Sequence, residues 1–276
     1  MGHSFRTTIL AATVLASVGM TAQVRAETPP NMLVLGMRID DIITMDPAEV
    51  FELNAGELSA NIYDRVMMFE PEDLTSLVCG VCETYAISED GKTIDFTMRE
   101  GQTFHSGNPV RAEDVVWSLQ RVIKLNKTPA FIFSQFGWTP ENVEEMIKVT
   151  DGGFRVQIVE DFSPGLVLNA LAAGVASVVD KELVMANEVD GDLGYAWLKD
   201  KSAGSGAFKL ISWNANETVM LEAFENYRHG APAMKRVVAR HVPEPAASAF
   251  CSSRVISTWR ARSPRTRSPG SRAMLT

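Results

Sequence analysis

The stretch from Ala86 to Leu125, AISEDGKTIDFTMREGQTFHSGNPVRAEDVVWSLQRVIKL, constrains the fold more than any other part of the chain. Its hydrophobic period changes half-way. Through Met98 the side chains alternate in two runs joined at Asp90 and Gly91, which predicts a β-hairpin because glycine accepts the positive φ of a tight turn. From Ala112 the period is helical: Val115, Val116, Leu119, Val122 and Ile123 share one face, and Glu113 and Asp114 stand in the first turn, where the helix dipole favours negative charge. A hairpin feeding an amphipathic helix calls for a mixed α/β arrangement, since each element must bury an apolar face against another.

The flanking segments extend the pattern. NMLVLGMRID, from Asn31, predicts a buried strand ending near Arg38. A helix is expected from about Glu57 to Val66, with capping-box spacing between Asn54 and Glu57, then a strand at VMMFE. WTPENVEEMI predicts a helix capped by Thr139 with Pro140 in its first position. A second hairpin turns at Asp151 and Gly152, a short helix starts at Ser163, two strands turn at Asn214–Asn216, and KRVVARHV predicts a last strand.

Charge and targeting narrow the function. The 276-residue chain opens with Arg6, a short apolar run and small residues at Val24 and Ala26, which reads as a secretory signal over residues 1–26 cut after Ala26. Later segments fall short of a membrane span, so the expectation is an exported protein that is not integral to the membrane. Between Glu27 and Glu244 stand 34 acidic against 18 basic residues, a net charge of −16. Such a body repels nucleic acid and anionic lipid.

Candidate chemistry is sparse. Cys79 and Cys82 have dithiol spacing, but no second pair completes a zinc site, and they precede a strand rather than opening a helix. They read as buried small residues, and whether they are bonded stays open at this point. An exported thiol redox protein using this pair is the rival reading. His105 with Ser106 and Asp114 lacks a nucleophile elbow. The Gly204–Phe208 segment, GSGAF, lacks the Lys-Ser/Thr of a phosphate loop and leads into a strand. Neither an enzyme nor a cofactor is expected.

ANIYDRVMMFEPED, then the hairpin with REGQTFHSGNP and AEDVVWSLQR, then GSGAFKL and the strands up to Glu244 resemble, in that order, the extracytoplasmic solute-binding proteins of peptide ABC importers, family 5. Ser205, Ala207 and Phe208 depart mildly from the family's GTGPY-x-L. The resemblance implies an α/β, periplasmic-binding-protein-like two-lobed fold of class II, of which only the N-terminal lobe and an inserted small domain are present. The main lobe is expected over 27–62 and 196–246, the inserted domain over 63–195. It further implies a monomeric periplasmic receptor that closes on a peptide and delivers it to permease and ATPase subunits. Receptors for opines, oligosaccharides, haem or nickel are the alternatives within the class. Ligand contacts from this half are expected at Asp40, Asp41, Phe51, Glu52, Gly204 and Gly206.

The resemblance stops near Ala247. Residues 247–276 hold six arginines and no carboxylate. Codons permitted for Ser248–Arg262, read one base out of phase, spell QRLLLEQGDIDLAR, which resembles the helix that follows this point in the family. The expectation is therefore a one-nucleotide loss near Ala247, an out-of-frame tail and an inactive, truncated product; a basic disordered arm is the competing reading.

Overall fold

A computed structural model describes residues 28–243, apart from 71, 72 and 160. The expected signal segment and the basic tail lie outside the described residues. Three sheets organise the chain. The first has the order β1-β10-β9-β8, built from β1 (Met32–Met37), β8 (Phe208–Asn214), β9 (Thr218–Ala223) and β10 (Arg236–His241). Here β1 runs parallel to β10 and the other pairs are antiparallel. The second is the pair β2 (Met67–Glu70) and β3 (Asp73–Cys79). The third has the order β4-β5-β7-β6, from β4 (Cys82–Ile87), β5 (Thr93–Met98), β6 (Ile147–Thr150) and β7 (Gly153–Gln157).

The helices fill the spaces between these layers. They are α1 (Leu53–Ile62), α2 (Ala112–Leu125), α3 (Phe131–Ser134), α4 (Val143–Met146), α5 (Pro164–Ala170), α6 (Lys181–Met185) and α7 (Tyr195–Leu198). The expected hairpin forms as β4 and β5, with Gly91 at φ 69° in the turn. The amphipathic face of α2 is buried as its period requires, and the backbone N–H of Arg111 donates to the Asp114 carboxylate (2.9 Å) at the helix start.

Some local expectations need correction, and other elements escaped the sequence pattern. The first helix begins at Leu53 with Glu52 as its N-cap, and Asn54 instead lies inside it, turned to another partner. The helix expected from Pro140 is a single turn that starts at Val143; the Asn142 side chain accepts the Thr139 N–H (2.8 Å) and tightens the preceding turn. Strand β3 escaped the reading because the exposed Asp73 and Thr75 and the half-buried Ser76 dilute its alternation. Helices α6 and α7 are too short for a 3.6-residue period to register.

Two apolar clusters form. One gathers Val66 to Val178 around the third sheet and α2, including Phe96 stacked on Phe154 (4.6 Å) and the wholly buried Trp138. The other joins Ile39–Tyr63 to residues from Val179 onward around the first sheet. The clusters are stapled by a buried ion pair. Arg121 of α2, on the side opposite the apolar face, reaches Asp46 in the segment after β1 through two hydrogen bonds of 2.8 and 2.6 Å. Its Nε donates to the Leu193 carbonyl (2.8 Å), and Asp46 also accepts the Ala48 N–H (3.0 Å). Every charge-bearing atom of the pair thus has a partner, the condition under which burial of charge is tolerated.

Candidate functional site: the segment after the first strand

The first sheet has two ends. Met32 of β1 is in register with Arg236, which pairs with Glu222, which pairs with Lys209; Met37 is in register with His241. The chain leaves β1 and β10 at the same end, because those two strands are parallel. There the Ile39 N–H meets His241 Nδ1 (3.3 Å) and the Val242 N–H donates to the Met37 carbonyl (3.0 Å). Residues 38–52 cross this end and deliver the chain to α1.

Four of the six expected contact residues lie in that crossing. Asp40 is exposed and bonded by the Arg38 guanidinium (3.2 Å), which holds its carboxyl below the usual carboxylate range. Asp41 is half-buried: its Oδ2 accepts from Asn54 Nδ2 (3.0 Å), while its Oδ1 is buried and has no hydrogen-bond partner. Phe51 is 56% exposed and meets Phe131 edge-on at 5.8 Å. Glu52 accepts the Phe51 N–H (3.3 Å). Ile43, Phe51 and Leu53, in the same crossing and at the start of α1, are exposed apolar side chains. A buried carboxylate oxygen with an unused lone pair is suited to an ammonium group.

Gly204 and Gly206 lie elsewhere. They enter β8 at the opposite end of the sheet, against the C-terminal end of α1. A Cβ on Gly204 would collide with the Ile62 backbone, and one on Gly206 with the backbone of Asn61 and Ile62, so the close approach requires glycine. The Gly206 N–H donates to the Ile62 carbonyl (2.9 Å), and the His105 N–H donates to the Gly204 carbonyl (2.9 Å). His105 Nε2 meets the Gly206 carbonyl (2.9 Å), and burial pushes its pKa down to about 4, keeping the ring neutral.

Cys79 and Cys82 form a disulfide linking the end of β3 to the start of β4. Cys82 is wholly buried. Among the described residues no group of three or more His, Cys, Asp and Glu side chains is arranged to hold a metal, and no helix is long and apolar enough to cross a membrane.

Sequence reasoning missed Asn54, read as a cap, although it orients Asp41, and it missed the Asp46–Arg121 pair that anchors the crossing from beneath. Helical register sets Arg121 opposite the apolar face of α2, alongside Asp114 and Ser118, where an arginine reads as solvated, so the pattern gave no sign of its burial.

The family model for bacterial extracellular solute-binding proteins, family 5 (middle), matches residues 76–265. The chain belongs to this family. Its curated relatives include a probable D,D-dipeptide-binding periplasmic protein of Escherichia coli (strain K12), 29% identical over 246 residues, covering 88% of this chain and 45% of that protein. Heme-binding protein A of Haemophilus influenzae (strain ATCC 51907 / DSM 11121 / KW20 / Rd) is 25% identical over 243 residues, covering 81% of this chain and 42% of that protein. Among solved structures, a periplasmic binding protein of Helicobacter pylori in complex with the peptide STSA superposes with a TM-score of 0.65 at 24% identity, over 82% of this chain and 45% of that one. The fold of this family 5 chain is thus the mixed α/β fold of periplasmic binding proteins. The chain spans less than half the length of each of these relatives.

Proposed function

We propose that this family 5 chain contributes one lobe of a periplasmic receptor that binds peptides for an ABC importer and hands them to its permease and ATPase subunits. The role is binding rather than catalysis. The family match supports the receptor reading, and the relatives described as binding dipeptides or holding a peptide favour that ligand class. The domain limits of 27–62, 63–195 and 196–246 are carried over with this proposal, as is export through a signal cut after Ala26.

The observation that carries the site is the buried, unpartnered Oδ1 of Asp41. In this reading Asp41 accepts the ammonium end of a peptide, Phe51 covers the adjoining residue, and Asn54 keeps the carboxylate aimed. A receptor of this type closes a second lobe over such a surface and excludes water. One lobe leaves its half of the contacts facing solvent, so its own affinity is on the order of millimolar.

Chemical-shift mapping of the labelled 276-residue chain with trialanine tests this. Saturable shifts are expected at 38–54, weakened roughly tenfold for N-acetyl-trialanine, which carries no ammonium. Asp41→Asn is expected to erase the difference between the two peptides. Equal binding of both peptides to the unaltered chain overturns the assignment of Asp41.

A further inference from the structure

The end of the first sheet away from Asp41 carries a second concavity. It is a cavity of about 820 Å³ between β2, β3, the free edge of β4 and the loop at 227–229 that follows β9. Its volume falls in the ordinary range of small-molecule sites. Cys79 of the disulfide forms part of one wall, and the disulfide fixes β3 against β4.

Two guanidinium groups line this cavity without exhausting their donors. Arg228 has a side chain 9% exposed and lies 3.4 Å from Asp64, itself 7% exposed. Its Nη2 rests 2.8 Å from the Met68 thioether, a weak acceptor. Arg99 spends Nη1 on Glu83 (2.7 Å) and Nη2 on the Cys82 carbonyl (3.0 Å), while its Nε is buried and unpartnered. The N–H groups left over on Arg228 and on the Nη atoms of Arg99 suit a carboxylate. Glu70 and Glu83, both exposed, line the same cavity and supply the complement for an ammonium group. Tyr85, 39% exposed, and Tyr227 add aromatic surface.

Cations, carboxylates and aromatic rings converge in one concavity, and a simple anion would meet the two glutamates unfavourably. We propose that this cavity is an accessory site for a zwitterionic amino acid with an aromatic side chain. Its carboxylate lies toward Arg228 and Arg99, its ammonium toward Glu83 and Glu70, and its ring against Tyr85 and Tyr227. The site is at the opposite end of the sheet from Asp41 and stands independently of the peptide reading.

The test is a chemical-shift titration of the 276-residue chain with L-phenylalanine, L-phenylalaninamide and N-acetyl-L-phenylalanine. The first is expected to give saturable shifts at 83–85 and 227–229, and each derivative, lacking one charge, to bind roughly tenfold more weakly. Tyr85→Ala, on an exposed edge strand, is expected to weaken L-phenylalanine roughly fivefold to tenfold with an unchanged circular-dichroism spectrum. Three results would overturn the proposal: no saturable shift, equal binding of all three compounds, or shifts confined to 38–54. Wild-type affinity in a folded Tyr85→Ala chain overturns it as well.

Discussion

The two ends of the first sheet each bury an aspartate–arginine pair, and the pairs are built differently. At the Asp41 end, Asp46 and Arg121 are 0% and 2% exposed, meet through two short hydrogen bonds, and have further partners in Ala48 and Leu193. At the other end, Asp64 and Arg228 meet only at 3.4 Å, and Asp64 draws on Ser205 (2.9 Å) as well. Burial raises the Asp64 pKa, with Arg228 only partly offsetting it. The first pair is closed and serves architecture. The second is open on one side, and its spare donors face a cavity. Burial alone therefore does not separate a staple from a site; the count of satisfied donors does.

The sharpest way to break this comparison is to remove one partner of the closed pair. Arg121→Ala strands the Asp46 carboxylate beneath residues 38–52 and is expected to cost about 3–5 kcal/mol in urea-induced unfolding. A loss below 1 kcal/mol would mean that the pair is not the staple described.

Acid should act next most strongly, and at the open end. His105 holds the Gly204–Gly206 entry beside Ser205 and Asp64, with its pKa pushed from 6.5 down to about 4 by burial. The unfolded chain takes up a proton as pH falls through 6.5, while the folded chain resists until about 4. This group's contribution is therefore intact above pH 6.5 and is lost between 6.5 and about 4, to the extent of about 3 kcal/mol. His105→Gln is expected to flatten that part of the stability–pH curve; an unchanged slope would reassign it.

The open pair itself should be the most forgiving. Arg228→Met is expected to cost about 2 kcal/mol at pH 7, less than Arg121→Ala, because fewer hydrogen bonds are lost. The deficit should shrink on acidification, since Asp64 then takes up a proton and no longer needs a cation. A deficit that grows with acid would contradict the open character of this pair.

Much of the scaffold was legible because it is local. The Asp90–Gly91 turn, the alternation on either side of it and the face Val115–Ile123 are each written within a few residues, and all three form. The family resemblance extended that reading to the fold class. What escaped is non-local or short. Asp46 and Arg121 are 75 residues apart, Asp64 and Arg228 are 164 apart, and no periodicity couples them. The resemblance set Gly204 and Gly206 beside Asp41 among the expected contacts, whereas the structure puts them against the end of α1 at the far end of the sheet. Only the strand register separates those two ends.

Amide hydrogen exchange of the 276-residue chain, with and without millimolar trialanine, tests the central claim most directly. Protection gained across 38–54, and lost again in Asp41→Asn, is the expected result for a lobe that presents its peptide-binding surface at this end of the sheet. Unchanged exchange there, with protection appearing only at 83–85 and 227–229, would contradict it.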